Sequence, residues 1–269
     1  MLVRVPEYNW KYIMNILLNN FRGGFENDEL THKSVPIILW SGGLDSTYAV
    51  YDFLKKGYAV DLLLLDIYPE GATVLRQEKA TNRILTMFRK LISEGELSGS
   101  INRVIWHRIT STSRRGHRSI RALHQVTSAF EAVTLMLKDY NNEIVFSYVE
   151  GDRTIPYLDD FRAAWDLLMK IQRLNYSEDK VPFSIPLSFP FVKKSKSDIL
   201  QELPPEISNA ISWCNIPVQY EECGQCDNCT EMIEIMSRLQ KECLKPFDQY
   251  TELAERLKNM IVSKSVFGD

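Results

Sequence analysis

The sequence has no apolar run near the roughly 18 residues that span a bilayer, no internal repeat and no low-complexity stretch. It has no excess of basic charge either. Its 32 Lys and Arg stand against 35 Asp and Glu, a formal charge of −3 over 269 residues. That balance argues against a surface built to grip nucleic acid or an anionic membrane, where a basic excess is expected. A small basic pocket for a nucleotide is still allowed. Cysteine is sparse, at five residues, and odd in number, which at this length excludes a disulfide scaffold. The opening residues MLVRVPEYNW lack the apolar core of a secretory signal, so the cytoplasm, where thiols stay reduced, is the expected compartment. What is there is ordinary for a globular chain: 45% hydrophobic, 25% charged and 11% aromatic, enough for one large domain or two small ones.

Residues 8–20 are apolar at helical spacing (Trp10, Ile13, Met14, Leu17, Leu18), which predicts a helical N-terminal extension over 1–34, closed by the polar stretch around Gly23 and Gly24. Then strand-like and helix-like segments alternate. Strands are expected from Val35 to Trp40, Ala59 to Ile67, Ile101 to Ile109 and Glu143 to Val149. Helices are expected over Asp45 to Lys56, 74–93, Ser119 to Tyr140 and Asp159 to Leu174, and the Pro-rich VPFSIPLSFPF leaves room for one short strand. This alternation predicts an α/β fold, a doubly wound and mostly parallel sheet over 35–194, with ligands at the carboxyl ends of its strands. From Ser195 the chain changes to short helical pieces, a cysteine cluster and an amphipathic tail. A helical, metal-stapled C-terminal subdomain over 195–269 is the expectation.

The sharpest N-terminal signal is IILW followed by SGGLDS, Ser41 to Ser46, where the first strand turns into the first helix. Adjacent glycines let the backbone approach a ligand closely. Amides at a helix N-terminus with hydroxyls beside them form an anion cradle. Ser46 and Thr47 can add hydroxyl donors. Asp45 is either the helix N-cap or a ligand for Mg²⁺ bridging phosphates. The spelling excludes both GxxxxGK[ST] and GxGxxG. The loop resembles that of the PP-loop ATP pyrophosphatase family, whose signature is SGGxDS. The resemblance implies ATP contacts from Leu39 and from Ser41, Gly42, Gly43, Leu44, Asp45, Ser46 and Thr47. It also implies attack of a substrate oxygen on the α-phosphate, with release of pyrophosphate.

Cys214, Cys223, Cys226 and Cys229 are spaced C-x8-C-x2-C-x2-C. Four soft thiolates this close can share one ion, and a closed tetrahedral set favours structural Zn²⁺. An iron–sulfur cluster also takes four cysteines. Gly224 suits the tight turn inside the knuckle. Cys243 falls outside the pattern and reads as a small buried hydrophobe.

Together the loop and the knuckle resemble the 7-cyano-7-deazaguanine synthase family, over about Val35 to Arg238. That resemblance implies a zinc-containing homodimer that activates the carboxylate of 7-carboxy-7-deazaguanine with ATP. Ammonia then gives an amide, and a second activation gives the nitrile. The stretch IVFSYVEGD places Asp152 at the family's aspartate, and FPFVKKSKSDI places Lys196, after Pro190, at its lysine. Asp45, Ser46 and Lys196 are then the catalytic candidates, and Asp152, Tyr157 and Asp159 the substrate-binding ones. Lys196 alternatively belongs to a solvated basic run with Lys193 and Lys194. The sequence departs from the family where the acceptor should sit. TIPYLDDFRAAW lacks the family's Cys and Arg, and GATVLRQEKA offers only Arg76, Gln77 and Glu78 for a Gln-Arg-His cluster. SRRGHRSIR offers Arg114, Arg115, Arg118 and Arg121 for one arginine, with Arg118 taken as the ATP contact.

Three alternatives accompany this ligase. One is a related enzyme of an anti-phage defence operon, which joins the activated deazapurine to another amine, including one on a protein partner. Another is a PP-loop tRNA-modifying enzyme, disfavoured by the acidic balance. The third is an ATP-binding protein without catalysis, disfavoured by the intact SGGLDS.

Overall fold

The computed structural model describes residues 35–66, 72–108, 121–137, 141–173, 185–214, 222–241 and 251–266. They belong to one compact unit, Ser34–Asp269. The expected N-terminal extension, Arg114, Arg115, Arg118 and Cys243, together with the side chain of Arg121, lie outside the described residues.

Five parallel strands form one sheet in the order β3-β2-β1-β4-β5. They are β1 Val35–Leu39, β2 Ala59–Asp66, β3 Ser100–Arg108, β4 Asn141–Val145 and β5 Leu187–Ser188. The helices that join them are α1 Leu44–Lys55, α2 Ala72–Ser93, α3 Arg121–Met136 and α4 Leu158–Arg173. The helices that follow are α5 Lys196–Glu202, α6 Pro205–Ala210, α7 Asp227–Lys241 and α8 Thr251–Val266. The doubly wound α/β expectation holds. Side chains alternate across the sheet with a period of two. Ile38, Leu62, Leu64 and Val145 join the core that also takes α1 and α2. Ile37, Leu63 and Ile144 face the opposite layer with Phe130 and Val133 of α3 and Trp165 of α4. Among the described residues after 195, many apolar side chains join the same core. Ile199, Leu203, Ile207, Met232, Met236 and Leu257 pack into the α1/α2 layer. Among the described residues no helix is long and apolar enough to cross a membrane.

Two sequence details shape the sheet. Pro36 lies in the central strand and cannot donate to a ladder. The register between β1 and β4 shifts there, between Val35 and Ile37. On the β4 side the Asn141 side chain donates to the Val35 carbonyl at 2.9 Å. At the same end of the sheet Asp61 is fully buried. It accepts from Asn102 Nδ2 at 2.8 Å, Arg103 Nε at 3.0 Å and Asn141 Nδ2 at 3.0 Å. A charge that deep persists because its lone pairs are met.

The chain leaves β1 for β2 and β3 on one side, and returns to β4 and β5 on the other. The direction reverses between β1 and β4, the place where open α/β sheets bind ligands. Ser41–Ser46 follows β1 there, and Glu150–Asp152 follows β4.

Candidate nucleotide site and cysteine centre

The loop after β1 is a left-handed glycine followed by a helix start. Gly42 has φ +74°, which an L side chain resists. A Cβ on it would also stand 2.7 Å from Thr81 Cγ2 of α2. Gly43, extended, is the N-cap of α1 and has no side chain to cap with. The first-turn amides of Leu44, Asp45 and Ser46 therefore have no carbonyl four residues back and look outward. Ser41 and Ser46 are tied together. Ser41 N–H donates to Ser46 Oγ at 3.1 Å, and their hydroxyl oxygens lie 3.0 Å apart. The two hydroxyls and the free amides converge on one end of α1, where its dipole favours an anion.

Asp45 is not the N-cap; it lies one residue into the helix. Its Oδ1 is sealed from solvent and has no hydrogen-bond partner, although 27% of the side chain remains exposed. Burial pushes its pKa up to about 7, with Asp152 and Glu231 adding and Lys196 opposing. An orphaned carboxylate oxygen beside an anion cradle fits a hard cation bridging to phosphates.

Lys196 is the first residue of α5. Ser195 caps that helix by accepting the Asp198 amide at 3.2 Å, in a reciprocal capping box. The cap fixes where the lysine leaves the backbone. Its Nζ lies 2.6 Å from Glu231 Oε2 and 3.8 Å from Asp45 Oδ2, with the side chain 17% exposed. Burial alone would lower its pKa, but Asp45, Glu231 and Asp152 hold it above the ordinary lysine value. Lys194 nearby is taken by Glu202 and lies over the Tyr48 ring. Lys196 is thus set apart from the basic run, facing the loop's own aspartate.

Asp152 accepts the Val149 amide at 2.8 Å. Burial raises its pKa, Glu231 adds to that, and the Val149 bond and Lys196 oppose it. Asp45, Asp152, Lys196 and Glu231 therefore form one electrostatic group at the switch point. The other expected residues differ in exposure. Thr47 is fully buried and its oxygen accepts from the Trp40 indole at 3.2 Å. Its hydroxyl is held in the core rather than added to the cradle. Leu39 is half-buried and Leu44 buried. Tyr157 is exposed. Asp159, with 96% of its side chain exposed, pairs with Arg162 at 2.8 Å on the outside of α4.

The four cysteines come together. Their sulfurs all lie within 4.8 Å of one another. Gly224, at φ +68°, makes the turn between Cys223 and Cys226. The amides of Gln225 and Cys226 donate to Cys223 Sγ at 3.4 and 3.3 Å, and the Cys223 amide donates to Cys214 Sγ at 3.3 Å. Backbone amides aimed at sulfur suit thiolates held on a metal. Burial raises the pKa of Cys223, and shared sulfur contacts with burial raise that of Cys229. The donor set and spacing fit one soft tetrahedral ion.

Beside the knuckle is a group that the sequence alone does not single out. Glu222, buried, takes Arg76 of α2 and Arg256 of α8. Burial raises its pKa, and the two arginines outweigh that and hold it below the usual carboxylate range. Arg256 also donates to the carbonyls of Asn209 and Ile211, at 3.0 and 3.1 Å, and lies 4.0 Å over the Trp213 ring. Arg76 meets Glu222 through Nη2, and its Nη1 is buried without a hydrogen-bond partner. Glu222, Glu231 and Arg256 carry no spacing signal, because each meets its partner across the fold.

No protein-family model matches this chain, and no curated protein matches it. Among solved structures it is similar to the U34-tRNA thiolase NcsA from Methanococcus maripaludis, solved with its [4Fe-4S] cluster. There the TM-score is 0.43 at 10% identity, over 93% of this chain and 79% of that one. It is also similar to the NH3-dependent NAD synthetase from Campylobacter jejuni, at TM-score 0.33 and 15% identity, over 93% of this chain and 94% of the other.

Proposed function

We propose that this protein is an ATP-dependent ligase of the PP-loop type, which adenylates a carboxylate and forms a C–N bond from it. The observation that carries the reading is the SGGLDS loop at the switch point. It joins a left-handed Gly42, paired Ser41 and Ser46 hydroxyls, and an Asp45 whose Oδ1 lacks a partner. ATP phosphates are held by the free amides of α1 and the two hydroxyls. Asp45 is the residue that would hold Mg²⁺, which supplies charge neutralisation on the phosphates. Lys196, released from Glu231 to the phosphates, stabilises the charge that gathers on departing pyrophosphate. In the reaction a carboxylate oxygen attacks the α-phosphorus and pyrophosphate leaves. An amine then attacks the acyl carbon and AMP leaves.

The acceptor proposed first is 7-carboxy-7-deazaguanine, with ammonia as the amine. Asp152 supports it, since a half-buried carboxylate can accept N–H donors from a guanine-like edge. Tyr157 and Asp159 are exposed and contribute less to that recognition. The four cysteines hold Zn²⁺ in a structural role, because four protein ligands leave no open position. A four-iron cluster would set each sulfur on a different iron and spread them more widely.

The deciding experiment incubates the protein with ATP, Mg²⁺ and 7-carboxy-7-deazaguanine, with and without ammonium. Pyrophosphate release is followed, and small molecules and protein are analysed by mass spectrometry. Carboxylate-dependent AMP with an amide or nitrile product is the expected result. A mass added to the protein would move the amine to a protein donor. ATP binding with no pyrophosphate release from any carboxylate would overturn the ligase.

A further inference from the structure

We propose that the ion held by the four cysteines positions the phosphate loop, so that metal occupancy and ATP binding are energetically coupled. This coupling rests on the nucleotide and metal readings above and joins them.

Three of the four ligands stand within two residues of a group that reaches the nucleotide side. Ser212 lies two residues before Cys214. Its amide donates to the Gly42 carbonyl at 2.9 Å, and its own carbonyl lies 3.4 Å from where a Cβ on Gly43 would stand. Glu222 lies directly before Cys223 and takes Arg76, the residue before Gln77 on the turn of α2 whose Gln77 and Thr81 back Gly42. It also takes Arg256, which fixes the 209–213 stretch through two carbonyls and the Trp213 ring. Glu231 lies two residues after Cys229 on α7 and receives Lys196 at 2.6 Å, opposite Asp45.

The segments carrying these contacts have little regular structure of their own. Residues 211–214 and 222–226 are neither helix nor strand. No backbone ladder therefore holds Ser212 or Glu222 in place. Gathering Cys214, Cys223 and Cys229 on one ion supplies that constraint. It fixes Ser212 under the loop, Glu222 between its arginines, and the start of α7 that carries Glu231. Without the ion the thiols lose their common partner, and the ordering cost falls on the loop contacts, on Arg256 and on the packing of Ile211 and Trp213.

Coupling of this kind is reciprocal, which supplies the test. Full-length protein is prepared zinc-loaded and chelator-treated, ATP binding is measured by calorimetry, and far-UV circular dichroism follows the fold. ATP is expected to bind the zinc-loaded protein about tenfold more tightly or better, within the range typical of coupled sites. Zinc affinity, read against a competing chelator, should rise by the same factor when ATP is saturating. A second variant works in the loaded protein. Ser212→Pro deletes the amide that reaches Gly42 and keeps every ligand. Ile211 is already extended, at φ −62° and ψ 153°, as a residue before proline must be. It should keep its zinc and lose about fivefold or more in ATP affinity. If the stripped protein unfolds, the chelator competition and Ser212→Pro decide the matter. Unchanged zinc affinity with ATP, or wild-type ATP binding by Ser212→Pro, overturns the coupling and leaves the ligase standing. Failure of ATP to bind the zinc-loaded protein overturns the nucleotide reading as well.

Discussion

Gly42→Ala isolates how the loop is built. Two separate costs act at this position. The backbone at φ +74° puts an L side chain in the left-handed region, at about 1–2 kcal/mol. The new methyl would then stand 2.7 Å from Thr81 Cγ2. Thr81 is 1% exposed and its hydroxyl is held by the carbonyls of Gln77 and Glu78 at 2.8 and 3.0 Å, so it cannot turn away. Overpacking of that kind costs about 1–3 kcal/mol. The substitution should therefore destabilise by about 2–5 kcal/mol in total. Thr81→Ser removes the offending methyl and keeps the hydroxyl. Alone it should cost about 0.5–1.5 kcal/mol for the lost methyl. In the Gly42→Ala background it should return most of the packing cost and none of the backbone cost. Urea unfolding of the four proteins at constant m measures the difference as a coupling energy of about 1–3 kcal/mol. A loss below about 1 kcal/mol for Gly42→Ala, or no coupling to Thr81, would refute this picture of the loop.

Asp45 makes stability fall as pH rises. Burial holds its folded pKa at about 7, above the unfolded value of 3.8, so its favourable contribution is full below the lower value and lost through the upper. Asp45→Asn should melt higher than wild type above pH 7 without nucleotide and form no AMP; equal melting at pH 8 counts against the buried charge. Cys226→Ser should lose bound metal, seen by elemental analysis, and unfold more readily, since metal binding is folding energy here. A variant that stays metal-free, folded and fully active would remove the structural zinc. Asp61→Ala takes the shared acceptor from Asn102, Arg103 and Asn141 and should cost about 1–3 kcal/mol in denaturant unfolding. A change under 1 kcal/mol would mean the cluster is solvated.

The sheet and its loop were legible because periodicity and glycine spelling are local. β1, β2 and β3 lie within a residue or so of their expected ends. β4 does not. Residues 146–149 look like more strand, but their neighbour β5 is only two residues long, Leu187–Ser188, between Pro186 and Pro190. The ladder runs out after Phe146 donates to the Ser188 carbonyl at 2.9 Å. The four cysteines were legible by spacing. The charged partners were not. Glu231 looks like any acid on an amphipathic helix until the fold brings Lys196 to it. Asp159 is a substrate-binding candidate by resemblance to the family's segment, and its exposure and its pairing with Arg162 carry no signal in the sequence. Long-range pairing decides such cases, and one sequence carries no trace of it.

The placement of β1 at the middle of the sheet has a consequence for synthesis. It is the first of the described strands to be made, and β2 can pair with it after about two dozen residues, as Ile37 meets Asp61. Its other edge waits for β4, and the side-chain bond from Asn141 back to Val35 spans 106 residues. At about 5–20 residues per second, the free edge of the most apolar strand stands open for several seconds on the ribosome. Pro36 lies on the other side, where Trp40 donates to the Leu63 carbonyl of β2, so its missing donor falls on the edge that β2 covers early, and the waiting edge keeps the amides of Ile37 and Leu39 until β4 arrives.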